Sequence, residues 1–232
     1  MRMDVLEKSG LSLAAISGVS DGDCSSRPEA KVSRDAFLEK CSVSPWRLAR
    51  ARQVHGTIIH IVDEVYLERF AGREPQVWPD GDGLITNIAG IALGVNVADC
   101  VPLWIYDPVR RVLGLFHAGR EGTLAGIATA GVAAMVAGFG SNAGDLLSVI
   151  GPSAGPCCYE LSTAMAQDLD TRGFPIMGQK FDMWEANRRQ LISSGVKSES
   201  IFVTAACTLC GNEFHSFRKS GTASRNLAVG ML

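Results

Sequence analysis

Runs of apolar residues along the chain predict most of its strands. Short segments rich in β-branched residues are typical of strands, and nearly continuous apolar runs indicate strands that are buried on both faces. They read LIT, IALGVNV, VPLWIYD and VLGLFHA between residues 84 and 118, LLSVIGP at 146–152 and SIFVTA at 200–205. The segment 47–65 alternates around Gly56 and predicts further strand.

The apolar period changes in the second half of the chain and predicts helices there. Residues 123–140 are of helix length and apolar nearly all round, which predicts a buried helix. Two amphipathic segments carry start and stop signals for helices. They are 162–173, with Ser162 as N-cap and Gly173 beyond the end, and 182–195, with Asp182 as N-cap and Gly195 as stop.

The order of these elements predicts the fold class. Polar, turn-rich stretches at 18–35 and 72–83 predict surface loops. Strands cluster early and helices late, which favours an α+β fold. The sequence contains no internal repeat and no low-complexity linker, so we expect a single domain over residues 1–232.

Composition and charge exclude several classes of function. The formal net charge of -2 provides no basic field for nucleic acid. No run of about 18 apolar residues is present to span a membrane. The first ten residues contain no apolar segment of the kind found in secretory signals, so we expect a cytoplasmic protein.

The cysteines raise a separate question. Seven cysteines with irregular spacing argue against a disulfide scaffold, because the number is odd. The CTLC segment, Cys207 to Cys210, has the spacing of a redox motif or of half a zinc knuckle. No second C-x-x-C exists to complete a site with four thiolates, which favours a structural or incidental role for it. Cys157 and Cys158 are adjacent to each other elsewhere in the chain.

Another cysteine, Cys100, precedes the predicted strand VPLWIYD, and His117 lies in the predicted strand VLGLFHA. If the two strands pair antiparallel across a two- or four-residue loop centred on Pro108 and Val109, Cys100 lies directly opposite His117. Such a pair fits a thiolate–imidazole dyad, two ligands of one metal, or a buried thiol beside a hydrogen-bonded histidine.

Two neighbouring residues bear on that choice. Asp99 lies in an apolar run, where a carboxylate either caps a strand end or orients a histidine and moves protons. His55, at a predicted strand end before Gly56, would add a third donor. Three protein ligands with an open fourth position are the catalytic pattern for zinc, and a thiolate with imidazoles also accepts copper.

Eight segments, taken in order, resemble the polyphenol-oxidase-like laccase-domain family, whose members are largely understood as purine nucleoside phosphorylases with adenosine deaminase side activity. The segments cover roughly residues 50–228 and read QVHG, DGDGLIT, ADCVPL, HAG, GPSAGPCCYEL, FDMWEANRRQL, CTLC and FHSFRKSG. The resemblance implies two mixed sheets packed as a sandwich and flanked by helices, a fold related to cysteine-dependent deamidase toxins. It also implies a zinc site formed by His55, Cys100 and His117.

The resemblance further implies a small-molecule reaction on a purine nucleoside. The expected reactions are phosphorolysis of adenosine, inosine, guanosine or methylthioadenosine, and hydrolytic deamination of adenosine. Asp99 and Glu121 are the candidates for proton transfer beside Cys100 and His117. The candidate substrate contacts are Arg52, Gln53, Asn96, Arg120, Tyr159, Glu160 and Arg218, and Arg225 matches the family's C-terminal arginine.

The chain departs from the family pattern in one segment, where HAGREG replaces the usual HAGWRG. Arg120 suits phosphate, whereas Glu121 repels it. A glutamate beside a metal site is instead the proton shuttle of zinc deaminases. Two interpretations follow. Either Glu121 weakens phosphorolysis, or Arg120 takes over phosphate binding from the arginine that the family usually has in this segment.

Two other functions are alternatives. Cys100 and His117 could form a metal-free thiol hydrolase. The family's older description is copper oxidation of phenols, but four histidines in the chain cannot supply a trinuclear copper cluster, although a single copper could bind.

Overall fold

The computed structural model describes residues 1–70 and 78–232. Half of the predicted loop at 72–83, residues 72–77, therefore lies outside the described residues. The strands, numbered in chain order, are β1 Leu13–Ile16, β2 Leu48–Ala49, β3 Ile59–Ile61, β4 Gly83–Thr86, β5 Ala92–Val97, β6 Val101–Asp107, β7 Val112–Ala118, β8 Leu147–Ile150, β9 Ile176–Met177, β10 Lys180–Phe181, β11 Ile201–Val203 and β12 Asn226–Met231. The α-helices are α1 Asp4–Lys8, α2 Lys31–Lys40, α3 Glu64–Phe70, α4 Arg120–Leu124, α5 Ile127–Phe139, α6 Thr163–Thr171, α7 Met183–Ser193 and α8 Phe217–Ser220.

Ten of the strands form two mixed sheets, and β9 and β10 form a separate antiparallel pair. In the described part of the chain the larger sheet has the order β11-β8-β6-β7-β4-β3, and the smaller has the order β1-β12-β5-β2. The pairs β3–β4, β8–β11 and β2–β5 are parallel, and the other neighbours are antiparallel. This arrangement confirms the predicted α+β class with two mixed sheets.

The two sheets pack face to face because alternate residues of the central strands point to opposite sides. Trp104 of β6 and Leu115 of β7 are buried between the sheets, in one cluster with Val95 of β5. The Trp104 Nε1 donates to the Val229 carbonyl across the interface at 3.0 Å. Leu103 of β6 faces the other way, into the layer of α5, α6 and α7.

Helices cover both outer faces. Phe37 and Leu38 of α2 pack on the outer face of the smaller sheet. The prediction of a loop over residues 18–35 is wrong for its last five residues, since α2 begins at Lys31. No helix in the described residues is long and apolar enough to cross a bilayer.

The predicted helix at 123–140 is two helices. The chain breaks between α4 and α5 at Gly126, which has a φ of +87° that most residues avoid. In α5, Ile127, Val132 and Met135 are buried, but Val136 is 42% exposed. The expectation of a helix buried all round is therefore wrong, because small alanines and glycines make a solvent-facing side look apolar in the sequence.

The cap signals of the last two long helices are confirmed. Ser162 accepts a hydrogen bond from the Met165 N–H, and Asp182 accepts one from the Glu185 N–H. Gly173 and Gly195 follow the helix ends with positive φ. In contrast, the strand predicted at 47–65 is limited to the short strands β2 and β3, which a turn around His55 separates.

Candidate metal centre and its cavity

Asp82, the last residue before β4, organises the centre. Its buried carboxylate accepts hydrogen bonds from the backbone N–H groups of Val54, His55 and Gly56 at 3.2, 3.0 and 2.7 Å. The same carboxylate lies 2.8 Å from His117 Nδ1. Burial opposes its ionisation, but the bonds from His117 and Gly56 outweigh burial and lower the pKa of Asp82. One carboxylate thus holds the His55 turn against the end of β7.

His55, Cys100 and His117 converge at this point, and each offers one donor atom. The donor atoms all lie within 4.8 Å of one another, and the two imidazole rings meet edge to face with centroids 4.8 Å apart. Because His117 commits Nδ1 to Asp82, its Nε2 is available as a ligand, which is the usual carboxylate–histidine arrangement at metal sites. Two nitrogens and one sulfur fit zinc or copper, and three protein donors leave a position open.

Gly119 keeps the space between the donors clear. A Cβ at this residue would lie 2.9 Å from Cδ2 of His55 and 3.1 Å from Sγ of Cys100. Both distances are too short for an ordinary contact, so a side chain here would displace the donors. The space among the three donor atoms therefore fits an ion held by them.

The three donors also adjust one another's ionisation. Burial raises the pKa of Cys100, but the charge of His117 and the hydrogen bonds from both histidines outweigh it and lower that pKa to about 6. Burial lowers the pKa of His117, but Cys100 and Asp82 outweigh it and raise that pKa to about 9. Without a metal, the pair is therefore a thiolate and an imidazolium over most of the range between these values.

The predicted pairing of Cys100 directly opposite His117 is wrong. Pro102 pairs with His117, so Cys100 lies two positions before the pairing residue. The turn starts later than predicted because Oδ1 of Asp107 accepts from the N–H groups of Val109 and Arg110, both at 2.9 Å. A shift of two residues keeps both side chains on one face, so Cys100 and His117 still meet as diagonal neighbours.

The three donors line one end of a cavity of about 700 Å³. This size falls within the range of roughly 300–1,000 Å³ that is typical of small-molecule sites. Among the described residues its lining includes five arginines but a single acidic residue, Asp99. The predicted contacts that line it are Arg52, Gln53, Asn96, Arg120, Tyr159 and Arg218. Arg27 and Arg225 also line it but were not predicted as contacts, and Glu160 is not among the lining residues. Arg27, Arg52 and Arg120 pair with neighbouring carboxylates. Arg218 and Arg225 form no ion pair within the described residues, and these two cations favour an anionic group in the cavity.

Tyr159 lies close to two of these cations, Arg218 and Arg120. The Arg218 guanidinium lies 4.2 Å from the centroid of the Tyr159 ring, and Arg218 also donates to the Glu160 carbonyl at 2.6 Å. Burial raises the pKa of Tyr159 despite the opposing charges of Arg218 and Arg120. The tyrosine therefore stays neutral at physiological pH and keeps its O–H proton.

Gln53 and Asn96 form part of the cavity wall through bonds within the protein. Gln53 Nε2 donates to the Asn96 carbonyl at 2.7 Å, and the Asn96 N–H donates back to Gln53 Oε1 at 2.8 Å. The Asn96 side chain bonds to Ser26, Arg50 and the Cys24 carbonyl. Both amides therefore fix the loop 24–27 and the strand end next to the metal centre.

The two predicted proton carriers occupy different environments. Both carboxylate oxygens of Asp99 accept hydrogen bonds, from the Thr208 hydroxyl at 2.6 Å and from the Arg218 N–H at 2.7 Å. Its φ of +85° places it in a tight turn directly before Cys100. Glu121 lies in the first turn of α4, where it is exposed, bonds to Arg120 and is not among the residues that line the cavity.

Sequence reasoning missed Asp82, although it falls within the quoted segment DGDGLIT. The available signal was a carboxylate directly before an apolar strand, since a buried carboxylate needs hydrogen bonds or a functional partner. Arg52, at the rim, pairs with the neighbouring Asp80. His60 and His215 bond to the carbonyls of Asp80 and Gly22, so only His55 and His117 of the four histidines reach the centre.

The comparisons with known proteins agree on one family. The family model described as multi-copper polyphenol oxidoreductase laccase matches residues 9–232. The chain is 36% identical over 188 residues to a protein named purine nucleoside phosphorylase YlmD from Geobacillus stearothermophilus, covering 76% of this chain and 69% of that protein. It is 28% identical over 195 residues to a protein named adenosine deaminase RL5 from an unknown prokaryotic organism, covering 79% and 74%.

Solved structures show the same fold. The crystal structure of YlmD from Geobacillus stearothermophilus superposes with a TM-score of 0.83 at 28% identity, over 94% of this chain and 91% of that one. The match covers nearly the whole of both chains, so the two proteins share one fold.

Proposed function

The chain belongs to the family described as multi-copper polyphenol oxidoreductase laccase, and we propose that it is a zinc-dependent purine nucleoside phosphorylase. The expected substrates are phosphate with adenosine, inosine, guanosine or methylthioadenosine. The observation that carries the proposal is the cavity beside His55, Cys100 and His117, whose described lining has five arginines and one acidic residue. A nucleoside alone offers no anion to these arginines, whereas phosphate does.

The reaction requires one bond to break and one to form. A phosphate oxygen attacks the anomeric carbon of the ribose, the bond from that carbon to the purine nitrogen breaks, and the nitrogen keeps the electron pair. The purine leaves with a proton, and the sugar leaves as its 1-phosphate. The protein must therefore hold phosphate against the sugar and supply a proton or positive charge to the leaving base.

Arg120 and Arg218 are the cations best placed for phosphate, because both lie beside Tyr159 in the lining. Charge-assisted hydrogen bonds from guanidinium groups to phosphate are stronger than neutral ones and fix its orientation. Tyr159 holds its proton at the phenolic oxygen because burial raises its pKa. It is therefore available as a neutral donor to phosphate or to the base.

His55, Cys100 and His117 would hold the metal, and Asp82 would orient His117. When bound, zinc supplies Lewis acidity, which stabilises negative charge that develops on a neighbouring oxygen or nitrogen atom. The protein's own contribution is a fixed donor set, because the His55 turn and the His117 ring share one carboxylate.

Hydrolytic deamination of adenosine is the second candidate, supported by Asp99 as the acidic group in the lining. It ranks second because both Asp99 oxygens already accept hydrogen bonds and Glu121 does not line the cavity. Copper oxidation of phenols ranks lower still, since two of the four histidines bond to backbone carbonyls away from the centre.

The decisive experiment incubates the zinc-loaded protein with adenosine, with and without phosphate, and separates the products. Adenine and ribose 1-phosphate that require phosphate are expected. Inosine formed without phosphate would favour deamination, and no turnover of any purine nucleoside would contradict both.

A variant separates the metal enzyme from a metal-free thiol hydrolase. Cys100→Ala should lower kcat/KM by more than about 100-fold, because loss of a ligand exceeds the 10–100-fold effect of its supporting residues. It should also lose one zinc per chain. Cys41→Ala, which removes a buried thiol in the core under α2, is the matched control and should keep both. A wild-type protein that turns over substrate after complete removal of zinc would contradict the proposal.

A further inference from the structure

Four cysteines gather at a second place, outside the cavity. They are Cys157, Cys158, Cys207 and Cys210, and their sulfurs all lie within 4.8 Å of one another. Cys157 and Cys158 belong to the loop after β8, and the other two belong to the loop between β11 and α8. None of the four is among the residues that line the cavity.

Cys157 and Cys158 provide the second pair of thiols that a four-thiolate site needs. The sequence contains no second C-x-x-C that could provide it. The expectation that CTLC has no partner for a four-thiolate site rested on spacing alone. The fold brings the CC pair against it, since Ser153 and Cys207 form a β-bridge between the two loops. The Ser153 N–H donates to the Ala206 carbonyl at 3.1 Å, and the Thr208 N–H donates to the Ser153 carbonyl at 3.0 Å.

The distances fit a tetrahedral thiolate site. Sγ of Cys210 lies 3.3 Å from Sγ of Cys157 and 3.2 Å from Sγ of Cys158. Zinc–sulfur bonds of about 2.3 Å in a tetrahedron place sulfurs about 3.8 Å apart. That value lies above the two contacts and below the 4.8 Å within which all four sulfurs lie. Thiols are weak hydrogen-bond donors and acceptors, so contacts among four S–H groups give little reason for the convergence.

Backbone donors and cations lie beside the cluster and can compensate negative charge on its sulfurs. The Gly155 N–H donates to the Cys207 Sγ at 3.3 Å. Two lysine ammonium groups bond to the backbone next to the cluster, Lys180 at the Cys157 carbonyl and Lys219 at the Gly211 carbonyl, both at 2.7 Å. Backbone donors and nearby cations offset the charge of a zinc ion with four thiolates, which is -2.

We infer that Cys157, Cys158, Cys207 and Cys210 bind one zinc ion in a closed, structural four-thiolate site, separate from the cavity. Each thiol that becomes a ligand releases its proton, so up to four protons leave per zinc bound. All four positions are filled by protein sulfur, so this ion has no open position for a substrate.

The proposed ion would clamp two loops that position residues of the cavity lining. Tyr159 follows Cys158 directly, and Thr208, between Cys207 and Cys210, donates its hydroxyl to Asp99 at 2.6 Å. The second zinc would therefore fix the positions of Tyr159 and Asp99 without contacting substrate.

The test measures zinc per chain after dialysis against a weak chelator. Wild type should hold two zinc ions, Cys100→Ala one, and Cys100→Ala combined with Cys207→Ser and Cys210→Ser none. The Cys100→Ala protein keeps the cluster intact, so its count does not depend on whether the cluster variants fold. In that background Co²⁺ should give the intense sulfur-to-metal absorption of a four-thiolate site, and a strong chelator should lower Tm.

Cys41→Ala in the same background is the matched control and should keep one zinc. A Cys100→Ala protein that holds no zinc would overturn the proposal. The intact mass of the protein provides a second check. A mass lower by two hydrogens for each disulfide, which a reductant restores, would show that the cysteines are paired and would also overturn the proposal. Neither readout depends on turnover, so failure here leaves the proposed phosphorylase untouched.

Discussion

The centre of His55, Cys100 and His117 differs from the cluster of Cys157, Cys158, Cys207 and Cys210 in the number of donors and in what surrounds them. The first has three donors and opens onto a cavity of about 700 Å³. The second has four donors on two loops at the surface, and none of them lines that cavity. A soft metal held by three protein ligands can act on a substrate, whereas one held by four only fixes the chain.

The supports of the two clusters differ in the same way. Asp82 fixes the first by bonding both to the His55 turn and to His117, at the ends of a loop and a strand. The second rests on a short β-bridge between Ser153 and Cys207 and on backbone donors. We therefore expect the first to keep its geometry without a metal and the second to depend more on the proposed ion.

The largest effect that separates the clusters is expected from Asp82→Asn. The amide keeps the shape but cannot accept from all the backbone N–H groups and His117 at once, so the His55 turn and the His117 ring lose their common anchor. Loss of such a supporting group costs about 10–100-fold in metal affinity or activity. Competition with a chromophoric chelator measures the affinity of each site.

Zinc at the four cysteines should not change in this variant, because Asp82 does not contact them. Asp80→Asn, two residues away and exposed at the rim, is the matched control and should leave the affinity of the first site unchanged. Equal weakening of both sites by Asp82→Asn would show that the variant loosens the whole fold instead, and the comparison would fail.

Parts of the fold that depend on local pattern could be predicted from the sequence. The bounds of β6 and β7 match the predicted runs because both strands are apolar on two faces and end at turn residues. Ser162 and Asp182 mark helix starts because capping is decided by the residue itself and the N–H groups beside it. In contrast, the break at Gly126 could not be singled out from the sequence, because Gly131 and Gly138 of the same segment stay inside α5.

The site was predictable only as far as donor chemistry and the family motifs allowed. His55, Cys100 and His117 do converge, yet the pairing from which Cys100 and His117 were placed is shifted by two residues, since Asp107 delays the turn. The role of Asp82, and the proximity of Cys157 and Cys158 to the CTLC segment, depend on contacts between segments far apart in the sequence. Such contacts exist only once both sheets have formed.

A smaller effect concerns thiol reactivity in the zinc-free protein, where Cys100 should be alkylated at lower pH than Cys157 or Cys158. The thiolate is the reactive form, and His117 lowers the pKa of Cys100 to about 6, so its rate of reaction with iodoacetamide should rise with a midpoint near pH 6. Burial and then the bond to Cys210 raise the pKa of Cys157, and the bond to Cys210 raises that of Cys158. Peptide mass spectrometry follows each cysteine separately.

Substituting His117→Asn should move the Cys100 midpoint upward, towards the ordinary value of about 8.5, because it removes the positive charge that stabilises the thiolate. His215→Asn, which removes a histidine bonded to the Gly22 carbonyl, should leave the midpoint unchanged. If the alkylation of Cys100 and that of Cys157 have the same pH midpoint, His117 does not lower the pKa of Cys100 and this contrast between the two clusters is wrong.

The smallest effect is expected from Glu121→Gln, which tests what the unusual HAGREG segment contributes to the open site. Glu121 pairs with Arg120 at 2.8 Å, and its side chain is 58% exposed, so the pair is worth only about 0.2–1 kcal/mol. Removing the charge frees Arg120 for phosphate, and KM for phosphate should fall about two- to five-fold with kcat unchanged. Asp168→Asn, which breaks the remote surface pair with Arg172, is the control and should change neither. If Glu121 were instead the proton shuttle of a deaminase, kcat for inosine formation would fall sharply while phosphate had no effect.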